Sequence, residues 1–214
     1  MRVIAGKARG MRLECPPGDD VRPAADMARQ ALFNILREYV SGTTVLDVFA
    51  GTGTVGIEAL SRGAAHCVFV EKSPQAIAWL EKNLAHTRLA EFAEILQRDA
   101  FRCVERLKTL GLRFDMVHLG PPFPMWHDID CKRALIGLLD EIAGADLLAP
   151  DAALAAQHEP TVELPTETKR LTRFDLRRYG RNAYTFYELK KPSHDGELQS
   201  ERDEAPSSVE PRTG

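Results

Sequence analysis

The segment Asp47-Val48-Phe49-Ala50-Gly51-Thr52-Gly53-Thr54-Val55-Gly56 constrains the fold more than any other stretch of this chain. An apolar strand pattern, Thr44 to Phe49, runs into it, and a helical pattern, Thr54 to Arg62, leaves it. Between them Gly51, Gly53 and Gly56 fall on a GxGxxG spacing. Glycines in such a loop permit positive φ and let a ligand approach bare backbone. A strand that turns this tightly into a helix opens a strand–helix–strand unit, so the next strand is expected to pair in parallel.

The remainder of the chain repeats that unit. Strand patterns fall at Cys67 to Glu71, Glu94 to Gln97, Phe114 to Leu119 and Ala152 to Gln157, and helical patterns at Pro74 to His86, Ala100 to Leu110 and Ile129 to Ile142. Ser73 followed by Pro74 is a strong helix start. Lys169 to Lys190 instead reads as two strands around Tyr179-Gly180-Arg181-Asn182, an antiparallel hairpin. The expectation is a Rossmann-like α/β fold: a mostly parallel seven-stranded sheet ending in an antiparallel hairpin, with helices on both faces. With 214 residues, 44% of them hydrophobic, the chain is long enough for one such core and short for two.

Two composition breaks bound the domain. Pro16-Pro17-Gly18-Asp19-Asp20 separates an N-terminal segment, with a turn at Lys7 to Gly10, from a helix whose apolar face is Ala28, Ala31, Leu32, Ile35, Leu36 and Tyr39. From Pro192 onward large apolar residues almost vanish, and burial cannot offset the entropy of ordering. The expected division is a basic extension at 1–20, the α/β domain at 21–191 and a disordered acidic tail at 192–214. No apolar run approaches the roughly 18 residues of a membrane span, and Met1-Arg2-Val3 opens into polar sequence, so a cytoplasmic protein is expected. Cys15, Cys67, Cys103 and Cys131 form no CxxC pair, which argues against a disulfide framework or a zinc site. The net charge of −3 conceals a pattern: Arg2, Lys7, Arg9 and Arg12 stand without an acid in residues 1–12, and residues 169–181 carry six basic groups against Asp175. Both stretches suit a polyanion.

The ligand of the glycine loop follows from the acids around it. A dinucleotide sets a pyrophosphate on the helix start, whereas S-adenosylmethionine has no phosphate and carries an amino acid and a sulfonium, which favour carboxylates. Asp47, four residues before Gly51, is placed to meet the amino-acid end directly or through water. Glu71, closing the second strand, can accept from ribose hydroxyls of either ligand. Asp99 can accept from an adenine amine, with the Ala100 N–H offered to the ring, although Asp99 also suits a helix cap. Phe49 and Lys72 complete the expected cofactor set. On the same carboxyl edge lies Leu119-Gly120-Pro121-Pro122-Phe123. Its paired prolines fix the backbone and remove two donors, so carbonyls project beside an aromatic ring and can hold a planar amine.

These residues resemble class I methyltransferases that act on exocyclic amines, whose signature is Asp or Asn followed by Pro-Pro and Tyr or Phe. More closely the chain resembles the RsmD-like family of small-subunit (16S) ribosomal RNA guanine-N2 methyltransferases. The resemblance is carried by Gly6, Arg9, Gly10, Leu13, Arg22-Pro23, Asp26, Arg29, the run Ala31 to Leu36, Val45 to Ala64, Asp115 and Pro121-Pro122-Phe123. It implies methyl transfer from S-adenosylmethionine to a guanine N2, with Gly120, Pro121, Pro122 and Phe123 as the catalytic turn. It also implies RNA contacts by Arg2, Lys7, Arg9, Arg12, Arg22 and Arg29, a monomer acting on ribosomal RNA within a small-subunit particle, and neither membrane nor metal. The base would be presented singly or flipped, with Phe123 stacking on it.

The chain departs from the family pattern where Gly120 replaces Asp or Asn, where Ala24 and Ala25 replace hydroxyl residues, and where Met27 and Gln30 replace Arg and Glu. With the side chain at 120 gone, main-chain carbonyls of Gly120 and Pro121 are the acceptors expected to remain, with His127 or Asp128 as neighbours able to substitute. Two other readings share part of the pattern. A nicotinamide-dependent oxidoreductase would use the glycine loop and Glu71 but not the Gly120 turn, and a catalytically silent RNA-binding or assembly protein would keep the fold without the chemistry.

Overall fold

The computed structural model describes residues 1–16, 23–36 and 40–191, and the side chains within them except those of 23–26. Arg22 and the tail at 192–214 therefore lie outside the described residues. The chain builds a seven-stranded sheet in the order β3-β2-β1-β4-β5-β7-β6. Its strands are β1 (Thr44–Val48), β2 (His66–Glu71), β3 (Ala93–Gln97), β4 (Phe114–Leu119), β5 (Leu148–His158), β6 (Leu171–Tyr179) and β7 (Asn182–Leu189). Strands β1 to β5 pair in parallel, while β7 inserts antiparallel between β5 and β6. The fold expected from the sequence is the one that forms.

The order reverses at β1, whose neighbours β2 and β4 lead to connections on opposite faces. In open α/β sheets the crevice beyond the strand carboxyl ends at such a point is where ligands bind. One apolar layer includes Val48, Val70, Leu119 and Trp126, packed against α6 (Ile129–Gly144) through Leu135, Leu138 and Leu139. The other includes Val45, Phe69, Met116 and Phe186, packed against α1 (Pro23–Ile35), α2 (Thr54–Ser61) and α3 (Pro74–Thr87).

The N-terminal segment packs into that second layer. Arg2 and Arg12 face each other across a short antiparallel bridge, and Val3, Ala8 and Leu13 are buried. The Ile4 and Ala5 N–H groups donate to the two oxygens of Glu58 at 2.8 and 3.0 Å, and the Ala8 N–H donates to Ser61 Oγ at 3.0 Å. Glu58 is fully buried on α2 and also accepts from Arg62 Nε at 2.7 Å. Further along, fully buried Asn83 on α3 accepts from the Glu14 N–H at 2.7 Å and donates to the carbonyls of Glu14 and Thr52, each at 3.0 Å. One amide thus ties the end of the basic segment to the glycine loop.

Beyond a short 3-10 turn at Ala90–Phe92, three elements differ from the sequence expectation. The single helix expected over Ala100 to Leu110 is a 3-10 turn, Ala100–Arg102, followed by α4 (Val104–Lys108), because Asp99 folds back to accept from the Phe101 N–H at 3.0 Å. Strand β5 begins at Leu148, earlier than expected, and carries Pro150 and Asp151 where its pairing with β4 shifts register. A one-turn helix α5 (Pro124–His127) was not expected, since four residues show no periodicity.

Candidate active site

A cavity of about 430 Å³ opens at the carboxyl ends of β1, β2 and β4. It is within the size range of small-ligand sites. Of the expected cofactor residues, Phe49, Gly51, Glu71, Lys72 and Ala100 line it, and all four residues of the turn, Gly120 to Phe123, line the same space. Arg98, Met125 and Gln157 also face it and were not anticipated. Asp47, Gly53 and Asp99 do not line it.

The glycine loop is shaped by two different demands. Gly51 has φ +56°, and a Cβ there would meet nothing within 4 Å, so the left-handed backbone stands beside open space. Gly53 has φ +81°, and a Cβ there would lie 2.2 Å from Leu80 Cδ1. The first glycine leaves room for a ligand, and the second for the protein's own core. Phe49 also adopts φ +62°, a conformation that costs a non-glycine residue about 1–2 kcal/mol. Its ring meets Phe101 edge-on at 6.0 Å.

Glu71 closes the loop from the next strand. Its Oε2 accepts from the Gly51 N–H at 2.9 Å, and its Oε1 accepts from the Lys72 and Ser73 N–H groups, each at 2.8 Å. The carboxylate is thereby fixed at the cavity wall with acceptor capacity left over. Asp99 is half-buried, caps the 3-10 turn and sits 3.8 Å from Lys72 Nζ, so Ala100 rather than the Asp99 side chain reaches the cavity.

Asp47 is 1% exposed and lies behind the loop. Its Oδ2 accepts from the Gly56 N–H at 2.9 Å, and its Oδ1 lies 2.8 Å from His118 Nδ1. The sequence reading aimed this carboxylate at a ligand, whereas the structure directs it at the start of α2 and at a histidine. His118 escaped that reading. It is the register partner of Asp47 across β1 and β4, and the position two before Gly120 on the same strand face, but neither relation is visible without the strand pairing. Tyr184 meets the His118 ring at a tilt of 50° with centroids 6.2 Å apart, and burial pushes its phenol pKa up, so it stays neutral.

The far wall is built from the turn and β5. The Gly120 N–H donates to the Val48 carbonyl at 3.0 Å, anchoring the turn to the end of β1. Trp126 Nε1 donates to the Gln157 carbonyl at 2.8 Å, and the Gln157 amide donates to Asn182 at 2.7 Å. The two substitutes expected for a side chain at 120 are engaged elsewhere: His127 pairs with Glu159, and Asp128 caps α6 by accepting from the Cys131 N–H at 2.8 Å. No cluster of three His, Cys, Asp or Glu able to hold a metal occurs among the described residues.

Arg2, Lys7, Arg9 and Arg12 are exposed on the N-terminal segment. Arg29, grouped with them on sequence, is instead 3% exposed; it donates to the Arg2 carbonyl at 2.6 Å and lies 3.7 Å from Glu58. Its guanidinium holds the segment down from inside.

Comparison with known proteins gives the family and the fold. The family described as "Conserved hypothetical protein 95" matches residues 1–188. The chain is 34% identical over 190 residues to a candidate rRNA methyltransferase, YlbH, of Bacillus subtilis (strain 168), covering 89% of this chain and all of the relative. It is 32% identical over 192 residues to ribosomal RNA small subunit methyltransferase D of Escherichia coli (strain K12), covering 88% of this chain and 89% of that one. A solved Escherichia coli structure, the candidate methyltransferase yhhF, superposes with a TM-score of 0.72 at 31% identity, over 89% of this chain and 98% of that chain. The fold is that of class I methyltransferases, and the chain belongs to the ribosomal RNA small subunit methyltransferase D family.

Proposed function

We propose that the protein transfers a methyl group from S-adenosylmethionine to the exocyclic N2 of a guanine in small-subunit ribosomal RNA. The observation that carries this reading is the meeting, in one cavity, of the open glycine at 51, the Glu71 carboxylate and the Gly120-Pro121-Pro122-Phe123 turn. The names of the relatives supply the substrate class, and the amine-type turn supplies the atom.

The residues present fit the cofactor. Gly51 offers bare backbone where a side chain would intrude, Glu71 offers acceptors for vicinal hydroxyls, and Phe49 and Ala100 give apolar walls for a base. When bound, the cofactor supplies an electrophilic methyl on a positively charged sulfur. The chain's own task is then positioning. Pro121 and Pro122 carry no N–H, and the Pro122 and Phe123 carbonyls accept from the Met125 and Trp126 N–H groups, so the carbonyls of Gly120 and Pro121 are the acceptors the turn would offer an amine, while Phe123 would present a ring to the base. The exposed cations of residues 1–12 hold phosphates without reading sequence.

Calorimetric titration separates this reading from a nicotinamide enzyme. S-adenosylmethionine and its demethylated product are expected to bind, with NAD at least 100-fold weaker, and Glu71→Ala should weaken the sulfonium ligand by about 10- to 150-fold, the equivalent of the roughly 1.5–3 kcal/mol of a hydrogen bond to a charged group. NAD binding as tightly, or affinity unaffected by Glu71→Ala, would overturn it.

A further inference from the structure

Gln157 lines the cavity yet belongs neither to the cofactor set nor to the turn. Its place follows from the strand register. Leu119 on β4 pairs with Ala156 on β5, so the next positions, Gly120 and Gln157, stand side by side at the carboxyl edge, one strand spacing of about 5 Å apart. Gln157 is therefore the neighbour of the position where the family carries Asp or Asn.

A side chain at 120 would have to displace a buried ring. Its Cβ would lie 2.6 Å from His118 Cε1 and 3.3 Å from His118 Nε2, and that imidazole is held by Asp47 at 2.8 Å. With this volume occupied, a side-chain acceptor for the target amine comes from another strand. Of the described residues around the cavity, Glu71 and Gln157 alone carry side-chain oxygens. Glu71 stands two strands from β4, beyond β1, and is turned to the glycine loop. Gln157 is adjacent to Gly120.

The amide is also oriented. Trp126 Nε1 donates to the Gln157 main-chain carbonyl at 2.8 Å, and Gln157 Nε2 donates to Asn182 Oδ1 at 2.7 Å. Asn182 is 6% exposed, so the amide nitrogen is tied to a buried partner. Its oxygen is the free end: Oε1 has no hydrogen-bond partner among the described residues and is not sealed from solvent. A planar amide held at its nitrogen presents its carbonyl as a fixed acceptor.

We propose that Gln157 Oε1 accepts one hydrogen of the guanine N2 amine, in place of the side chain absent at 120, while a carbonyl of the Gly120-Pro121 turn accepts the other. This rests on the reading of the site as a guanine-N2 methyltransferase. With both hydrogens held in the plane of the base, the lone pair perpendicular to that plane is the part of the amine turned to the methyl group. The N2–CH3 bond forms as the S–CH3 bond breaks to leave a thioether. The surplus N2 proton passes to water, because a neutral amide holds a hydrogen without removing it.

Methyl-transfer kinetics of the full chain on small-subunit RNA test this contact. Gln157→Leu removes the acceptor at similar volume and should lower kcat by about 100-fold, the usual loss for one aimed polar group, with Tm little changed and the calorimetric Kd for S-adenosylmethionine within twofold of wild type. Gln157→Glu restores an acceptor of the same reach; it should recover most of kcat, and it carries the test if the leucine variant does not fold. Asn182→Ala frees the amide to rotate and should lower kcat by less than Gln157→Leu, adding nothing to it in the double variant. Unchanged kcat in Gln157→Leu, a Gln157→Glu variant no faster than the leucine one, or parallel losses of kcat, cofactor affinity and Tm overturn the proposal alone. An equal Asn182→Ala loss in both backgrounds overturns the orienting role of Asn182. Absence of methyl transfer to a guanine amine by the wild type overturns the underlying reading, and the proposal with it.

Discussion

Replacing Glu58 by alanine should loosen the N-terminal segment and destabilise the whole domain. The side chain of Glu58 is 1% exposed and that of Arg29 is 3% exposed, and the carboxylate also accepts from the Ile4 and Ala5 N–H groups and from Arg62. Removing one member of a buried ion pair costs about 3–5 kcal/mol, because the remaining charge stays desolvated without its counterpart. The Arg62 contact adds little, since that side chain is more open to solvent. A domain of this size is stable by about 5–15 kcal/mol in total, so the loss is a large share. Urea denaturation followed by circular dichroism reads it as a lower midpoint at unchanged slope. Glu58→Gln keeps the shape and one acceptor oxygen and should fall between wild type and alanine. A Glu58→Ala loss under about 1 kcal/mol at unchanged slope would refute the argument that this carboxylate fastens the basic segment to α2.

Other outcomes follow from the same geometry. Gly51→Ala should retain most of the stability, paying about 1–2 kcal/mol for its φ of +56°, but lose cofactor affinity in calorimetry, whereas Gly53→Ala should lower Tm further, because besides its φ of +81° its Cβ would have to displace the Leu80 methyl 2.2 Å away. Replacing the exposed Arg2, Lys7, Arg9 and Arg12 together by glutamine, which leaves the buried backbone contacts of the segment in place, should flatten the dependence of log K for RNA on log salt by about 3, from four cations at roughly 0.7 each on single strands, in filter-binding or fluorescence titrations. Burial holds the His158 pKa below the ordinary imidazole value of 6.5. The unfolded chain therefore takes up this proton first, and Tm should be highest above pH 6.5 and fall as pH drops below it, less so in His158→Asn.

The parts of this molecule that were legible in the sequence are those written locally. Alternation of apolar runs with helical periodicity located the strands and main helices, and the Ser73-Pro74 start was confirmed by the Ser73 side chain accepting from the Ala76 N–H. Glycine spacing located the loop because φ is a property of single residues. What could not be read depended on register. Asp47 is drawn away from the cavity, and His118 toward Gly120, by a pairing between strands 71 residues apart in sequence. Arg29 looked like its exposed neighbours in charge, but its burial depends on where the N-terminal segment folds back. The start of β5 was hidden by Pro150 and Asp151, residues that ordinarily interrupt a strand and here sit at a register shift.

The central claim is methyl transfer to a guanine amine, and the most direct measurement is transfer from labelled S-adenosylmethionine to small-subunit ribosomal RNA, bare and protein-bound, followed by nuclease digestion and mass spectrometry of the nucleosides. Label is expected in N2-methylguanosine at a discrete position, with its rate of appearance lowered about 10- to 150-fold when Glu71 is replaced by alanine at limiting cofactor. Label in another base, or no label in either RNA form by a protein shown to bind the cofactor, would contradict it.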